Sequence, residues 1–457
     1  MSKLESASME VLTRILDTGV GRVHISGVLG VSTSALAVML KRRGAFVSGS
    51  DDSEAVDIGD VLVREGVMLT RGEERIRMIC CADLLVYSSA ITSVHPDRRA
   101  ARELGIPECS RAELLGALMM GYRHRIGVSG THGKSTTTAM LGAIFGGAGL
   151  SPTVLCGARL SSGRCFELGA NEHLIYEACE YRDSFLHFSP SCAIITNVEL
   201  DHTDYFTSIE AVEQSFIRSV RSADIAIISA DSPSSQRVAQ TLGKRALTVG
   251  KSPLSLWRYE RTGLCSFSLS EGEKKLVEFS TGVHGAHNIA NAALAAVAAI
   301  YEGVGVFDIA SALSGFHGLE KRLERIGECS GSVIYRDYAH HPTEIRASLS
   351  ALREMHAGVA VLFRPHTYTR TRDLWSGFVS ELSVADVVGI YEIYPAREAP
   401  IPGISAEALA SAIPKAVFVS RGDALDFVRE SGCEAVVLMG AGDLDWLLAE
   451  IKKITET

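Results

Sequence analysis

The segment GVSGTHGKSTTT at positions 127–138 constrains the fold more than any other stretch of this chain. It lies between the apolar run RIGV and a run rich in Thr and Ala, which predicts a buried strand, a glycine loop and a helix. Backbone N–H groups in such a loop and at the helix N-terminus form a cradle for phosphate. The general loop pattern has glycine where this chain has Val128. A tight turn with a surface lysine is the alternative, but strand, loop, Lys-Ser and helix in register favour a nucleotide site.

Apolar strands separated by helical stretches occur along the whole chain and predict an α/β fold built on doubly wound parallel sheets. In the first segment, STSALAVMLKRRG reads as a helix closed by Gly44. We expect three domains, with boundaries at 1–122, 123–320 and 321–457. The predicted strands are RVHISGV, FVSGSD, LLVYSSAI, RIGVSG, HLIYEAC, CAIITNV, ADIAIISA, VIYRDYA, GVAVLFRP, VVGIYEIY and EAVVLMGAG.

Charge and composition exclude several classes of function. A net charge of −9 argues against a general nucleic-acid binder, which needs a basic surface to displace counterions. The start of the chain lacks the pattern of a secretory signal, and the longest apolar run, around 292–300, is too short to span a bilayer. Ten scattered cysteines without a C-x-x-C fit reduced thiols. We therefore expect a cytoplasmic protein without a nucleic-acid partner or membrane insertion.

The loop GTHGKSTT and a series of further motifs, in their order along the chain, resemble the Mur ligases of peptidoglycan precursor synthesis. The likeness is strongest to the alanine-adding branch and its relative that recycles murein tripeptide. It implies a Rossmann-like N-terminal domain, a central P-loop ATPase-type domain and a C-terminal Rossmann-like α/β domain. The motifs that carry it are VSGSD, YSSAI, RAELL, EACEYRDSFL, TNVELDHTDYF, HNIAN, DYAHHPTEI, FRPHTYTRTRDL, YPAREAPIPGI and GAGDL.

ATP and Mg²⁺, with two ions expected, are the cofactors that the resemblance implies. Lys134 can bridge the β- and γ-phosphates, and Ser135 offers a hydroxyl to Mg²⁺. Glu177 ends an apolar strand, where a carboxylate can hold Mg²⁺. His202 also follows a strand, although a lone histidine is more often structural. By resemblance, the catalytic residues are Lys134, Glu177 and His202. The metal ligands are Ser135, Glu177 and His202. The residues of the loop that bind ATP are Gly130, Thr131, His132, Gly133, Lys134, Ser135 and Thr136.

Four later residues are further ATP contacts by resemblance: Asn288, Asn291, Arg322 and Asp337. The asparagines of HNIAN can equally form a polar helix start, since Asn is a favoured cap. Asp337 follows a strand and could accept hydrogen bonds from a ribose or bind metal through water. The adjacent His340 and His341 have no acidic or cysteine partner at zinc spacing, so we interpret them as structural or facing the nucleotide.

UDP-sugar binding is expected in the first domain, at Gly27, Gly30, Ser34, Asp51 and Ser88. This chain departs from the family pattern there, because Leu29 replaces a glycine, Thr33 replaces a methionine and His95 replaces an asparagine. A leucine adds a side chain where the backbone must approach a pyrophosphate closely. Either Leu29 is turned away from the phosphates, or it occupies their place and the usual nucleotide sugar is not the substrate.

The amino-acid substrate is expected at FRPHTYTRTRDL, where His366, Tyr368, Arg370 and Arg372 follow a strand. A guanidinium can hold a carboxylate through two hydrogen bonds and leave the amine free. Either arginine could instead be a surface residue at a helix start. Arg397, in YPARE, is a further candidate.

The activity implied by resemblance joins L-alanine to the lactyl carboxylate of UDP-N-acetylmuramate through an acyl phosphate, with ADP and phosphate released. Several Mur ligases hold the second metal with a carbamylated lysine, but this chain has no lysine between Lys134 and Lys244, which supports the alanine-adding branch. A related ligase with a peptide or another acid substrate is the nearest alternative. An NAD-linked oxidoreductase and a silent nucleotide-binding protein are weaker ones. A monomer or weak homodimer is expected.

Overall fold

The structure is a computed structural model that describes residues 3–53, 55–160, 162–203, 205–396, 398–442 and 444–455. Within these residues the chain forms two compact units. The first comprises residues 1–200, 208–256 and 294–309, and the second comprises 201–207, 257–293 and 310–457.

Helices and parallel strands alternate along the first unit. Its strands are β1 (Arg22–Ser26), β2 (Phe46–Ser50), β3 (Met68–Thr70), β4 (Leu84–Tyr87), β5 (Glu108–Ser110), β6 (His124–Ser129), β7 (Thr153–Leu155), β8 (Phe166–Glu167), β9 (His173–Glu177), β10 (Cys192–Ile195), β11 (Ile225–Ser229) and β12 (Ala246–Gly250). Its helices are α1 (Lys3–Thr18), α2 (Val31–Arg42), α3 (Val56–Arg64), α4 (Gly72–Cys80), α5 (Pro96–Glu103), α6 (Arg111–Met119), α7 (Lys134–Gly147), α8 (Ile209–Ser219) and α9 (Pro233–Leu242), with short 3-10 helices at Tyr181–His187 and Gly243–Arg245.

Two sheets organise the first unit. One has the order β3-β2-β1-β4-β5, and all of its strands are parallel. Seven strands of the larger sheet lie in this unit in the order β12-β11-β10-β6-β9-β7-β8, parallel except for β8. In both sheets the loops that follow the strands gather at the carboxyl edge, which is where ligands bind in open α/β sheets.

The second unit contains an antiparallel meander and a mixed sheet. The meander is β13 (Trp257–Arg261), β14 (Ser266–Glu271) and β15 (Lys274–Ser280). The sheet has the order β16-β17-β21-β18-β19-β20, with β16 antiparallel, and comprises β16 (Glu324–Cys329), β17 (Ser332–Asp337), β18 (Val359–Arg364), β19 (Val387–Ile390), β20 (Ala416–Phe418) and β21 (Ala435–Gly440). Its helices are α12 (Pro342–Met355), α13 (Tyr368–Asp373), α14 (Trp375–Leu382), α15 (Ala406–Ala412), α16 (Ala424–Glu430) and α17 (Asp445–Thr455), while α10 (Ala286–Tyr301) and α11 (Val306–Ser314) contribute residues to both units.

Alternating side chains of β18 and β21 form two cores in the second unit. Val361 and Phe363 pack with Met439 in one core, whereas Leu362 packs with Leu438 in the other. Successive side chains of a strand point to opposite faces, so a sheet covered by helices on both faces needs an unbroken apolar run. The runs GVAVLF and AVVLMG meet that requirement.

The predicted fold class is confirmed, and each predicted strand corresponds to a strand of the structure. Helix α2 begins at Val31 and ends at Arg42, slightly before the predicted stop at Gly44. Helix α1, the meander and seven other strands were not predicted from the sequence. These strands are β3, β5, β7, β8, β12, β16 and β20. The domain boundaries stay predictions. All ten cysteines are free thiols, and no helix of the described residues is long and apolar enough to cross a membrane.

Candidate active site

The loop between β6 and α7 requires glycine at two positions. Gly130 has a φ of +138°, and a Cβ there would lie 1.9 Å from Thr196 Oγ1. Gly133, the N-cap of α7, has a φ of +82°. Other L-residues rarely adopt such backbone angles. The glycines therefore bring the loop close to the end of β10 and direct it into the N-terminus of α7.

Asn197, which follows β10, holds this loop in place. Its Oδ1 accepts the His132 N–H at 2.9 Å, and its Nδ2 donates to the His132 carbonyl at 2.9 Å. Thr131 Oγ1 accepts the Glu199 N–H at 2.9 Å. Asn197 was not predicted as a site residue. Its position after the strand that pairs with β6 is the signal that could have identified it.

The Lys134 side chain lies against its own loop and a buried carboxylate. Its Nζ donates to the carbonyls of Gly130 at 2.5 Å and Thr131 at 3.1 Å. It also forms an ion pair with Glu180 at 3.0 Å. Burial is the largest single effect and lowers the pKa of Lys134, but the neighbouring negative charges, Glu180 first, together outweigh it and hold the pKa above its ordinary value. Lys134 is therefore positively charged at neutral pH. Glu180 belongs to the motif EACEYRDSFL but was not predicted as a site residue.

Ser135 and Glu177 lie side by side at the start of α7. Ser135 Oγ donates to Glu177 Oε2 at 2.9 Å, and the same oxygen accepts the Gly157 N–H at 2.8 Å. Thr136 is buried in the first turn of α7. The carboxylate and hydroxyl are hard oxygen ligands of the kind that Mg²⁺ prefers. Their metal-binding role stays a prediction.

His202 lies in the short segment 201–207 of the second unit. Its φ is +52°, and its N–H donates to Asp201 Oδ1 at 2.7 Å. Its carbonyl accepts the N–H groups of Tyr205 and Phe206 at 2.8 and 2.9 Å. The segment thus forms a tight turn around His202. The predicted metal role of its ring is not tested by these contacts.

A cavity of about 360 Å³ lies at the carboxyl ends of β1 and β4. These strands are adjacent, and the chain winds in opposite directions from them, which is the usual ligand position in such sheets. Gly27 has a φ of +78°, and a Cβ there would lie 2.6 Å from Ser88 Oγ. The cavity is lined by Gly30, Val31, Ser32, Thr33, Ala35, Ser88, Ser89, Ala90, Arg111, Leu115, Leu155, Cys156, Gly157, Cys165, Glu177 and Cys179.

Arg111 is the positive charge in the lining of this cavity. It begins α6, and its guanidinium donates to Ser32 Oγ at 2.8 Å. In the part of the chain that the structure describes, no carboxylate lies within 4.0 Å of Arg111. Burial lowers the pKa of Arg111, yet a guanidinium remains charged at neutral pH. Arg111 belongs to the motif RAELL but was not predicted as a site residue.

Ser34 and Asp51, two predicted substrate residues, make mainly local contacts. Ser34 Oγ donates to the Val31 carbonyl at 2.9 Å, and Ser34 lines a separate cavity of about 40 Å³. Asp51 accepts the Leu29 N–H at 2.8 Å and both the N–H and hydroxyl of Ser53. Neither residue lines the cavity of about 360 Å³.

The three departures from the family pattern have structural explanations. Leu29 is buried and is not among the described residues with positive φ, so leucine fits there without backbone strain. Thr33 Oγ1 donates to the Gly27 carbonyl at 2.6 Å and braces the loop. His95 is the N-cap of α5, and its ring accepts the Asp97 N–H.

Arg370 is the arginine that lies in a buried polar cluster of the second unit. It forms an ion pair with Asp201 at 3.2 Å, with side chains only 14% and 11% exposed, and donates to His366 Nδ1 at 2.9 Å. Burial alone would raise the pKa of Asp201, but the charges of Arg370 and then His202 hold it below its ordinary value. Asp201 was not predicted as a site residue.

His366 is held as a neutral acceptor. Burial lowers its pKa to about 4, with His340 and Arg370 adding to the effect. Its ring stacks on Tyr394, with centroids 5.7 Å apart and planes inclined by 20°. A neutral imidazole can accept the Arg370 hydrogen bond at Nδ1 and present its other nitrogen as a donor.

The other residues predicted to bind the amino-acid substrate do not lie in the buried polar cluster around Arg370. Arg372 is 52% exposed and pairs with Asp373 at 2.7 Å, so it is a surface residue of α13. Tyr368 begins α13 and packs against the core of the second unit. Arg397 lies outside the described residues.

Asp337 is buried at the end of β17 and accepts hydrogen bonds from the protein itself. Its donors are the N–H groups of Ala339 at 2.7 Å and Leu323 at 3.1 Å, and the Ser348 hydroxyl at 2.9 Å. Burial raises the pKa of Asp337 to about 6, although Arg322 opposes the shift. The Arg322 guanidinium lies over the Tyr338 ring, 5.4 Å from its centroid. These contacts fix the loop, and the predicted ribose contact stays a prediction.

Asn288 and Asn291 are buried residues of α10. The helix begins at Ala286, and Asn288 Nδ2 donates to the His284 carbonyl at 2.7 Å, so Asn288 is inside the helix and is not its cap. His341 is the N-cap of α12 and forms a capping box with Glu344. The structural interpretation of His341 is consistent with this contact, and the ATP contacts of the asparagines stay predictions.

Three sequence families match the chain: the Mur ligase family, catalytic domain, over residues 22–123; the Mur ligase middle domain over 128–299; and the Mur ligase, glutamate ligase domain, over 321–442. Curated relatives named UDP-N-acetylmuramate–L-alanine ligase include one from Lachnospira eligens, 36% identical over 92% of this chain and 96% of its own length. Another, from Caldicellulosiruptor saccharolyticus, is 36% identical over 86% of this chain and 89% of its own.

Solved structures share the fold. UDP-N-acetylmuramate-alanine ligase from Thermotoga maritima superposes with a TM-score of 0.78 and 24% identity, covering 95% of this chain and 99% of its own. A murein peptide ligase from Psychrobacter arcticus gives a TM-score of 0.70 and 23% identity, covering 95% and 98%.

Proposed function

This chain belongs to the Mur ligase family, and we propose that it joins L-alanine to the lactyl carboxylate of UDP-N-acetylmuramate with hydrolysis of ATP to ADP and phosphate. The observation that carries the proposal is one cavity lined both by Gly30 and Ser88, beside the β1 and β4 loops, and by Glu177, beside the phosphate loop. An acid substrate held by those loops would have its carboxylate next to the phosphate loop. The names of the full-length relatives supply the identity of that acid.

The reaction has two steps. A carboxylate oxygen attacks the γ-phosphorus of ATP, the bond from that phosphorus to the bridging oxygen breaks, and ADP leaves the acyl phosphate. The amine of alanine then attacks the acyl carbon, the carbon–oxygen bond to phosphate breaks, and the amine loses a proton. Phosphoryl transfer depends mainly on positioning and charge stabilisation. Lys134 exchanges Glu180 for the phosphates and stabilises the charge that develops on the transferred group.

Ser135 and Glu177 fit a magnesium ion, because their oxygens lie 2.9 Å apart at the start of α7. When bound, Mg²⁺ would supply charge neutralisation at the transferred phosphoryl group. We infer two ions, with His202 contributing to the second. Asn288, Asn291, Arg322 and Asp337 are proposed ATP contacts by resemblance.

Arg370 is the proposed anchor of the alanine carboxylate. Asp201 and His366 fix the orientation of its guanidinium, which keeps the remaining N–H groups available for a carboxylate. Exposed Arg372 is not proposed for this role. Because the reaction consumes ATP and a nucleotide sugar, we also infer a cytoplasmic location, and a monomer or weak homodimer stays a prediction.

Release of ADP, followed with a coupled assay in the full-length chain, tests this function. ADP formation should need UDP-N-acetylmuramate and L-alanine together, and Lys134→Ala should abolish it. The tripeptide L-alanyl-γ-D-glutamyl-meso-diaminopimelate, offered with UDP-N-acetylmuramate in place of L-alanine, tests the recycling alternative. Turnover with the tripeptide and none with alanine would replace the proposed function.

A further inference from the structure

Two cysteines lie opposite each other at the end of the antiparallel pair β7 and β8 in the first unit. The register of this pair places Leu155 opposite Phe166. One residue further along, the Cys156 N–H donates to the Cys165 carbonyl at 2.9 Å, so the same register brings Cys156 opposite Cys165. Opposite residues of an antiparallel pair carry their side chains on the same face, with Cβ atoms about 4.5–5.5 Å apart.

This separation suits a disulfide bond, although both thiols are reduced in the structure. Disulfides join Cα atoms about 4.4–6.8 Å apart, and opposite residues at a hydrogen-bonded position have Cα atoms about 5.5 Å apart. The Cβ atoms of a disulfide lie about 3.5–4.5 Å apart, so closure draws the two backbones together by up to about 1 Å. Cys156 Sγ donates to the Ser135 carbonyl at 3.5 Å, and a rotation about its Cα–Cβ bond would turn it toward Cys165.

Cys165 is the more accessible of the two thiols. It is partly exposed, whereas Cys156 is 4% exposed. Cys165 lines both the cavity of about 360 Å³ and the cavity of about 40 Å³. The charged residues of these two linings are three arginines and two carboxylates: Arg111, Arg159, Arg164, Asp57 and Glu177. A surplus of positive charge favours the thiolate, which is the form that peroxides oxidise.

The two cysteines are connected to the phosphate loop through Gly157, which follows Cys156. The Gly157 N–H donates to Glu177 Oε2 at 2.8 Å, and a Cβ on Gly157 would lie only 2.7 Å from that oxygen. The same oxygen accepts the Ser135 hydroxyl at 2.9 Å. A backbone shift at Cys156 therefore moves Glu177 and Ser135 as well, because Gly157 is in contact with the carboxylate.

We propose that Cys156 and Cys165 are a redox modification site, at which a hydroperoxide converts the two thiols into a reversible disulfide that inhibits ligation. With hydrogen peroxide, the Cys165 sulfur attacks one oxygen, the O–O bond breaks, and water leaves as Cys165 becomes a sulfenic acid. The Cys156 sulfur then attacks the Cys165 sulfur, the S–O bond breaks, and a second water leaves with the thiol proton. The two thiols lose two electrons and the peroxide gains them. A dithiol reductant reverses the bond by thiol–disulfide exchange.

Peptide mass spectrometry of the full-length protein after treatment with hydrogen peroxide tests the bond. Trypsin cleaves at the two arginines between the cysteines, and a glutamate-specific protease cleaves after Glu167, which separates Cys165 from Cys179. The peptides that contain Cys156 and Cys165 should be joined with loss of two hydrogens, and dithiothreitol should release them. A bond from either cysteine to Cys179, or oxidation of Cys165 without any joined peptide, would overturn the proposal.

ADP formation by the same samples tests the inhibition, and this part of the inference rests on the function proposed above. Full closure should lower ADP formation at least about tenfold, since a displacement of about 1 Å at groups that position a reaction costs about a hundredfold. Dithiothreitol should restore it. Each variant is compared with its own untreated sample, and Cys165→Ser should keep its activity under peroxide. The matched control, Cys80→Ser with Cys81→Ser, removes two exposed thiols and should be inhibited like the wild type.

The outcomes separate this inference from the proposed function. Joined peptides with unchanged ADP formation would overturn the inhibition. Equal inhibition of Cys165→Ser and the wild type would also overturn it, because another group would then be responsible. If the untreated wild type forms no ADP with UDP-N-acetylmuramate and L-alanine, the proposed function is wrong, whereas joined peptides would still support the modification site.

Discussion

Replacing Glu180 by glutamine should destabilise the first unit by removing the charge that balances Lys134. The two side chains are 4% and 13% exposed and lie 3.0 Å apart, so solvent screens their interaction little. Loss of one partner from a buried ion pair costs about 3–5 kcal/mol. Glutamine keeps the shape of glutamate, and Lys134 keeps its two carbonyl hydrogen bonds. We therefore expect a loss at the low end, about 3 kcal/mol.

The midpoint of thermal unfolding measures this loss. At about 2 °C per kcal/mol for a unit of this size, Glu180→Gln should lower the midpoint of the first unit by about 6 °C. Glu167→Gln, at an exposed position of β8, is the matched control and should change stability by less than about 0.5 kcal/mol. The double variant Lys134→Met with Glu180→Gln should be more stable than Glu180→Gln alone, because no uncompensated charge remains.

A Glu180→Gln midpoint within about 1 °C of the wild type, a shift that corresponds to about 0.5 kcal/mol, would refute this reasoning. It would mean that water or another group balances Lys134 as well as the carboxylate does. The same conclusion would follow if the double variant were less stable than Glu180→Gln.

Three further predictions concern the chemistry of the two units. Glu177→Gln should raise the Mg²⁺ concentration for half-maximal ADP formation at least about tenfold, because a neutral amide binds Mg²⁺ more weakly than a charged carboxylate does. An unchanged Mg²⁺ dependence would remove Glu177 from the metal site. Arg370→Ala should raise KM for L-alanine by at least about tenfold through loss of a charge-assisted hydrogen bond. Arg372→Ala, on the same helix, should leave this KM unchanged. Equal effects of the two substitutions in steady-state assays would contradict the role of Arg370 as the carboxylate anchor. Burial raises the pKa of Asp337 from 3.8 to about 6, so the folded state holds this proton more tightly than the unfolded chain. Its contribution to stability is full below pH 3.8 and is lost as pH rises to about 6, a loss of up to about 3 kcal/mol. The midpoint of thermal unfolding should therefore fall between pH 4 and 7 in the wild type, and this fall should be absent in Asp337→Asn. Parallel midpoint profiles of the two proteins would rule out this contribution of Asp337.

The sequence alone determined the order of the main apolar strands, though not α1, the meander or the shorter strands, and it located the phosphate loop. Apolar runs of fixed period predict strands, and Gly130 and Gly133 indicate a tight loop that needs glycine at those positions. Both patterns are local, so they can be recognised without knowledge of the tertiary contacts. The resemblance to Mur ligases rested on motifs of the same local kind. Leucine at position 29 was also visible at once as a departure, although its consequence was not.

Tertiary structure decided which side chains meet. Asp201 and Arg370 are 169 residues apart in sequence, and Lys134 and Glu180 are 46 apart, yet each pair forms a buried ion pair. No local pattern distinguishes Arg370 from Arg372; packing of α13 buries the first and leaves the second in solvent. The same holds for Leu29, whose direction depends on space beside α3. Periodicity records which face of an element is apolar, whereas the partner of a polar group depends on distant segments that only the folded chain brings together.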